Sequence, residues 1–115
     1  MMSKKRVLNA LEEFGLSHSD GIIYIYLAKM GPKKKNELVK ALKMTKQQLY
    51  SSLKKLEDRG LIIAESNKTT TFSALPFDKV LECLVYTKME KAKAIQNRKV
   101  ELLALWESIK SKEEV

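Results

Sequence analysis

All four glycines and both prolines of this 115-residue chain lie at or before Pro76. From Phe77 to about Lys110 nothing interrupts a helix. That run predicts one continuous helix on the order of 50 Å long, at about 1.5 Å per residue. Pro76 suits its first turn, where a missing N–H costs nothing. Residues 1–75 are instead cut into short segments by Gly15, by Gly31-Pro32 and by Gly60. The pattern predicts a compact head, residues 1–75, and a helical extension, residues 76–115, whose tail SKEEV reads as frayed.

Spacing resolves the head. Val7, Leu8, Leu11 and Phe14 keep a helical period up to Gly15. Ser17 and Asp20 then form S-x-x-D, a capping-box-like start to a segment running through GIIYIYLAKM. Its β-branched run would also suit a buried strand. Length, the cap and the closing Gly31-Pro32 favour a helix, which Gly21 weakens. In KKKNELVKALKM, Leu38 and Leu42, joined by Val39 and Ala41, line one side of a short helix. A short break at Lys43–Met44 leads to Thr45. Thr45 and Gln48 form T-x-x-Q, a capping box in which each side chain satisfies the other residue's free backbone N–H. Leu49, Leu53 and Leu56 make the buried stripe of a helix over 45–59, which Gly60 ends.

The period then changes. Leu61–Ala64 and Thr69–Ala74 are strand-like, and Ser66, Asn67 and Lys68 make a polar turn between them, giving a β-hairpin over 61–74. Helix, helix, short helix, tight turn, capped helix, hairpin is the order of a winged helix-turn-helix. The expected fold is therefore mainly α with a small β-hairpin wing, followed by a long C-terminal dimerisation helix.

Charge points to a partner. The hydrophobic content of 44% suffices for a core, and the formal net charge is +8. Residues 1–60 carry 13 Lys/Arg against 6 Asp/Glu, whereas residues 61–115 carry 9 against 8. The surplus sits in the head and suits a polyanion, nucleic acid or an acidic membrane surface; a Lys-rich surface also serves plain solubility. The longest apolar run, Ile22–Ala28, is too short to span a bilayer, and the basic N-terminus lacks the apolar stretch of a signal peptide. Cys83 is alone, so no internal disulfide forms, and a reducing cytoplasmic, nucleoid-associated setting is expected.

Placing residues 45–59 at 100° per residue puts Leu49, Leu53 and Leu56 on one side and Gln47, Ser51, Lys54 and Asp58 on the other. Lys46, Tyr50 and Lys55 flank that outer face. The first turn of such a helix supplies groove contacts, and glutamine can bond adenine edges in the major groove. Gln47 is the expected base reader. Lys46, Lys54 and Lys55 suit phosphates. Gln48 has two readings, a DNA contact or a group spent on the cap. Tyr50 likewise reads as a DNA contact or as part of the core. Lys33, Lys34 and Lys35 form either a solvated helix start or an approach to the DNA backbone beside the recognition helix. Lys68, at the wing tip, suits a phosphate or the minor groove.

A heptad frame fits the extension loosely. Position a holds Val85, Ala92, Lys99 and Trp106, and position d holds Leu81, Lys88, Ile95, Leu102 and Ile109. Lys88 and Lys99 are misfits. Pairing across a two-fold axis would bury Leu81, Leu84, Val85, Ile95, Leu102, Trp106 and Ile109. Two recognition helices would then meet successive major grooves of double-stranded DNA about 34 Å apart, on a roughly palindromic site.

Catalysis finds no constellation. His18 is the only histidine, and with one cysteine it cannot build a usual zinc site. There is no Gly-rich phosphate loop. No enzyme activity, cofactor, metal or small-molecule effector is expected. Cys83, beside Leu81 and Leu84, reads as a buried small hydrophobe, with redox sensing as the alternative. The competing function is a protein–protein module within a larger transcription or chromatin assembly. Such a module would expose an apolar patch where Gln47, Ser51 and Lys54 stand.

The residues resemble the TrmB-like winged-helix transcriptional regulators, which are found mainly in archaea and related to MarR-like winged helices. Gly15-Leu16-Ser17, Asp20-Gly21, Ile23-Tyr24 and Gly31-Pro32 match the family's first conserved-type block. Glu37-Leu38, Lys46, Leu49-Tyr50, Leu53-x-x-Leu56 and Gly60-Leu61-Ile62 match its second. The likeness covers about residues 7–74. It departs at Lys34-Lys35, where the family often has Thr, and at Thr45, Lys46 and Gln48, where it often has Pro and Arg. The resemblance implies DNA contacts at Lys46, Gln47 and Tyr50. Full-length members carry a sugar-binding C-terminal domain for which this sequence has no room. The shorter relatives, with a long pairing helix, are the better match.

Overall fold

The computed structural model describes residues 2–111; the frayed tail expected beyond Ser111 lies outside them. The element order is α1 (Met2–Glu13), α2 (His18–Met30), β1 (Lys33–Lys34), α3 (Lys35–Leu42), α4 (Lys46–Asp58), β2 (Ile62–Ser66), β3 (Thr70–Ala74), α5 (Phe77–Asn97) and α6 (Lys99–Lys110). The chain divides into two compact units between Glu82 and Cys83.

In the first unit the head closes a core of its own. Leu11, Leu16, Ile23, Leu27, Leu38, Leu49, Leu53, Leu56, Leu61 and Phe72 are all buried. α2 is a helix, as its cap predicts, and packs against α1, α4 and β3. Ser17 Oγ accepts from the Asp20 N–H at 3.1 Å, and the Ser17 N–H donates to Asp20 Oδ2 at 3.2 Å, a complete capping box. Gly21, a weak helix former, has a packing reason. A Cβ there would stand 2.9 Å from Leu8 Cδ2, so the missing side chain lets α1 lie close against α2. Tyr24 is buried, and its hydroxyl donates to the Leu75 carbonyl at 2.6 Å, tying α2 to the end of β3. Burial first and the nearby Asp78 charge second push its phenol above the usual value.

The wing is a three-stranded antiparallel sheet, order β1-β3-β2. Its hairpin pairs Ile62 with Ala74 and Ser66 with Thr70, as the strand-like runs predict. The third strand is new. Lys33 and Lys34 leave the expected helix start and pair with Phe72 and Thr71. Gly31, at φ +87°, ends α2 and turns the chain toward that edge.

The extension departs from a single helix. It is two helices, α5 and α6, separated at Arg98 (φ −92°, ψ 0°). The Arg98 N–H is shared between the Ala94 carbonyl at 3.2 Å and the Ile95 carbonyl at 3.1 Å. That bifurcation is the mark of a tightened turn, and Asn97 before it is a poor helix former. The ladder resumes with the Leu102 N–H on the Arg98 carbonyl at 2.9 Å. Cys83 is exposed rather than buried. Val80 and Leu84, one turn apart on α5, are buried, and Cys83 does not share their side of the helix. No helix among the described residues is long and apolar enough to cross a membrane.

Candidate nucleic-acid interface

α4 owes its position to its own stripe. Leu49, Leu53 and Leu56 are buried, with Ser52 beside them. Gln47, Ser51, Lys54 and Asp58 are exposed on the opposite side. Thr45 Oγ1 accepts from the Gln48 N–H at 3.1 Å. The expected return bond from the Gln48 side chain is not formed, so Thr45 alone makes the cap and the exposed Gln48 amide is left to other partners. The turn before α4 is set by Lys43, which sits in the left-handed region at φ +53°.

Lys46, Lys54 and Lys55 are exposed, and none forms an ion pair among the described residues. Asp58 stands on the same outer face, and Lys55 also borders Glu12, Asp20 and Asp58, with no carboxylate at ion-pair distance from any of the three lysines. Tyr50 is 46% exposed, which removes it from the core. Lys35 Nζ lies over its ring at 4.2 Å and 5.9 Å from the Phe72 centroid. Lys35, Lys40, Lys46 and Tyr50 thus border one cleft on the α3 side of α4, with Asn36 and Val39. Lys33 is half-buried and Lys34 exposed in β1, at the edge of the wing sheet rather than on a helix. Lys68 is exposed in the turn between β2 and β3, as expected.

A second cleft, of about 380 Å³, opens on the other flank of α4, where it meets the start of α2. Ser17 and Ser19 line it with Thr45, Gln47, Gln48, Ser51, Ser52 and Lys55. Sequence periodicity gave no sign of it, because its wall comes from residues more than twenty-five positions apart. Sharing its Ser17 and Lys55 walls lies a hollow bordered by Glu12, Asp20, Asp58 and Arg59. Asp20 is 3% exposed and its Oδ1 has no hydrogen-bond partner. Arg59 donates from Nη2 to the Phe14 carbonyl at 3.3 Å. His18 is exposed and lies 3.3 Å from Glu12 Oε2, a surface contact. No group of His, Cys, Asp or Glu among the described residues could hold a metal ion.

The expected pairing face lies on α5 and α6. Leu84 is 2% exposed within one chain, and Leu81 is half-buried. From Val85 onward the apolar residues are open: Ile95, Leu102, Trp106 and Ile109 are all exposed. Leu105 joins Leu102, Trp106 and Ile109 at i, i+3, i+4, i+7 spacing, a fuller stripe than the a and d positions alone.

Known proteins share this arrangement. The archaeal chromatin protein TrmBL2, described as showing a novel mode of DNA binding, superposes with a TM-score of 0.74 at 26% identity. The match covers 97% of this chain and 45% of that one, so this chain spans less than half of TrmBL2. The ST1889 protein of Sulfolobus tokodaii matches at TM-score 0.62 and 23% identity, over 80% of this chain and 96% of that one. The transcriptional regulator Tm0710 of Thermotoga maritima matches at 0.58 and 22%, over 96% and 91%. No curated protein matches the sequence. The family described as sugar-specific transcriptional regulator TrmB matches residues 11–78, more than half of the chain. With its capped α4 and three-stranded wing, the chain belongs to the TrmB family of winged-helix transcriptional regulators.

Proposed function

We propose that the protein binds double-stranded DNA sequence-specifically as a homodimeric transcriptional regulator, cytoplasmic and nucleoid-associated, without enzyme activity. The observation that carries this reading is the outer face of α4, where Gln47, Ser51 and Lys54 stand exposed beside lysines that form no ion pair among the described residues. α4 enters the major groove, Gln47 reads a base edge, and Lys46, Lys54 and Lys55 take phosphates. The wing, through Lys68, meets the backbone or the minor groove. α5 and α6 pair with a second copy through Val85, Ile95, Leu102, Trp106 and Ile109.

The test is fluorescence anisotropy with random duplex DNA at low and moderate salt, followed by selection of a preferred site. Micromolar binding that collapses with salt is expected. Gln47→Ala should lose about 1–3 kcal/mol on the selected site only, whereas Lys54→Ala should weaken all sequences alike. Equal binding of every sequence by the Gln47 variant and the wild type removes Gln47 as the reader. A second reading is favoured by the likeness to TrmBL2, a chromatin protein: a chromatin-type role rather than the control of one site. A selected site that binds no tighter than random DNA decides for that role.

A further inference from the structure

The open stripe of α5 and α6 carries two lysines among its apolar residues. In the heptad frame Lys88 holds a d position between Leu81 and Ile95, and Lys99 an a position between Ala92 and Trp106. Both are exposed, and neither forms an ion pair among the described residues. The stripe keeps one face past the break at Arg98, since Ile95, Gln96, Lys99, Leu102 and Leu103 line a single hollow of about 240 Å³ across it. Its exposed apolar residues run from Val85 to Ile109, and the midpoint of that span is Asn97, beside the break.

We propose that α5 and α6 pair antiparallel with those of a second copy, about a two-fold axis at Asn97. The inference rests on the homodimer proposed above and gives it a direction and a register. In a parallel two-fold pair every seam residue meets its own copy. Lys88 would then face Lys88 and Lys99 face Lys99, two like-charge contacts inside the seam. Antiparallel pairing sets each a position against a d position of the other chain. About Asn97, Val85 meets the partner's Ile109 and Ala92 meets the partner's Leu102. Lys88 falls on the partner's Trp106, whose ring attracts an ammonium. Lys99 falls on the partner's Ile95, with its stem along apolar surface and its head reaching water. The hollow around Lys99 is then the seat of that isoleucine. Met89 and Leu103, exposed apolar residues outside the a and d positions, come together as a flanking pair across the two chains. Arg98 alone meets its own copy, at the solvent rim of the seam, where salt screens the repulsion.

Spin labels on the full chain read the direction. In a Cys83→Ser background, Lys93→Cys and Ser108→Cys each place one label on an exposed position outside the seam, and pulsed dipolar spectroscopy measures the distance between the two copies of that label. In an antiparallel pair the distance grows with separation from Asn97. At about 1.5 Å per residue the Ser108 labels stand about 33 Å apart along the helices, against about 12 Å for the Lys93 labels. In a parallel pair both distances are set by the helix spacing alone and are nearly equal. A Ser108 distance longer by about 15 Å or more is the result expected. Equal distances overturn the antiparallel register and leave the homodimer standing. No dipolar coupling at either site, with sedimentation as a monomer, removes the homodimer and the register with it. Lys88→Glu gives an independent reading, because a parallel pair merely exchanges one like-charge contact for another. An antiparallel pair puts a carboxylate against the partner's Trp106, so self-association should weaken about ten-fold. An unchanged association constant overturns the contact between Lys88 and Trp106 and the register built on it.

Discussion

α4 and α6 are near-equal helices, 13 and 12 residues long, and each carries an apolar stripe at helical spacing. The stripe of α4 is buried by its own chain, while α6 has no buried residue and leaves Trp106 54% exposed. A stripe covered within the chain fixes where a helix points, and so can aim a reading face outward. A stripe left open cannot be stabilised by one chain alone and marks where another surface belongs. The first unit thus holds a geometry by itself, and the proposed pairing falls on the second.

Truncation should separate the two. Leu53→Ala opens a cavity under α4 and should cost about 2–5 kcal/mol of unfolding free energy, measured in urea at a concentration where the chain is monomeric. Trp106→Ala should leave that monomer value nearly unchanged. It should instead weaken self-association by about 2–4 kcal/mol, read by sedimentation over a concentration series. An unchanged association constant would take Trp106 out of the pairing face. A large loss of monomer stability would show that α6 is held by its own chain after all.

The same contrast explains what could be read beforehand. The leucines of α4 repeat at intervals of four and three inside a capped segment, so both the helix and its inward face follow from spacing alone. The hairpin is equally legible, because the period drops to two between turn residues. Lys33 and Lys34 carry no strand signal. Their pairing depends on the far side of β3 being vacant, a tertiary fact that local propensity does not contain. Arg98 hides for the opposite reason, since nothing but Asn97 disfavours the helix there and the break is only a shared hydrogen bond. At the site, α4's outer face was legible as a wheel. The cleft at Ser19 and Ser52 was not, because it exists only where α2 meets α4. Cys83 has apolar neighbours in sequence and is still exposed, because the helical turn and not adjacency decides which residues share a face.

The smallest effect comes from Tyr24, where the first unit closes even a polar seam. Tyr24→Phe removes the hydrogen bond to the Leu75 carbonyl and leaves that oxygen without its phenol donor. About 1–1.5 kcal/mol of stability should be lost at neutral pH. Alkaline solution gives a sharper reading. The phenol is raised above its ordinary 10.0 in the folded chain, by burial and by Asp78, so the unfolded chain releases this proton first. The contribution is therefore fully present below pH about 10 and declines as pH rises from there through the folded value. Urea midpoints followed from pH 8 to 11 should fall more steeply in the wild type than in Tyr24→Phe, with the two curves converging at the alkaline end. Parallel curves would mean that the phenol titrates alike in both states, and that the seam between α2 and β3 is open to water.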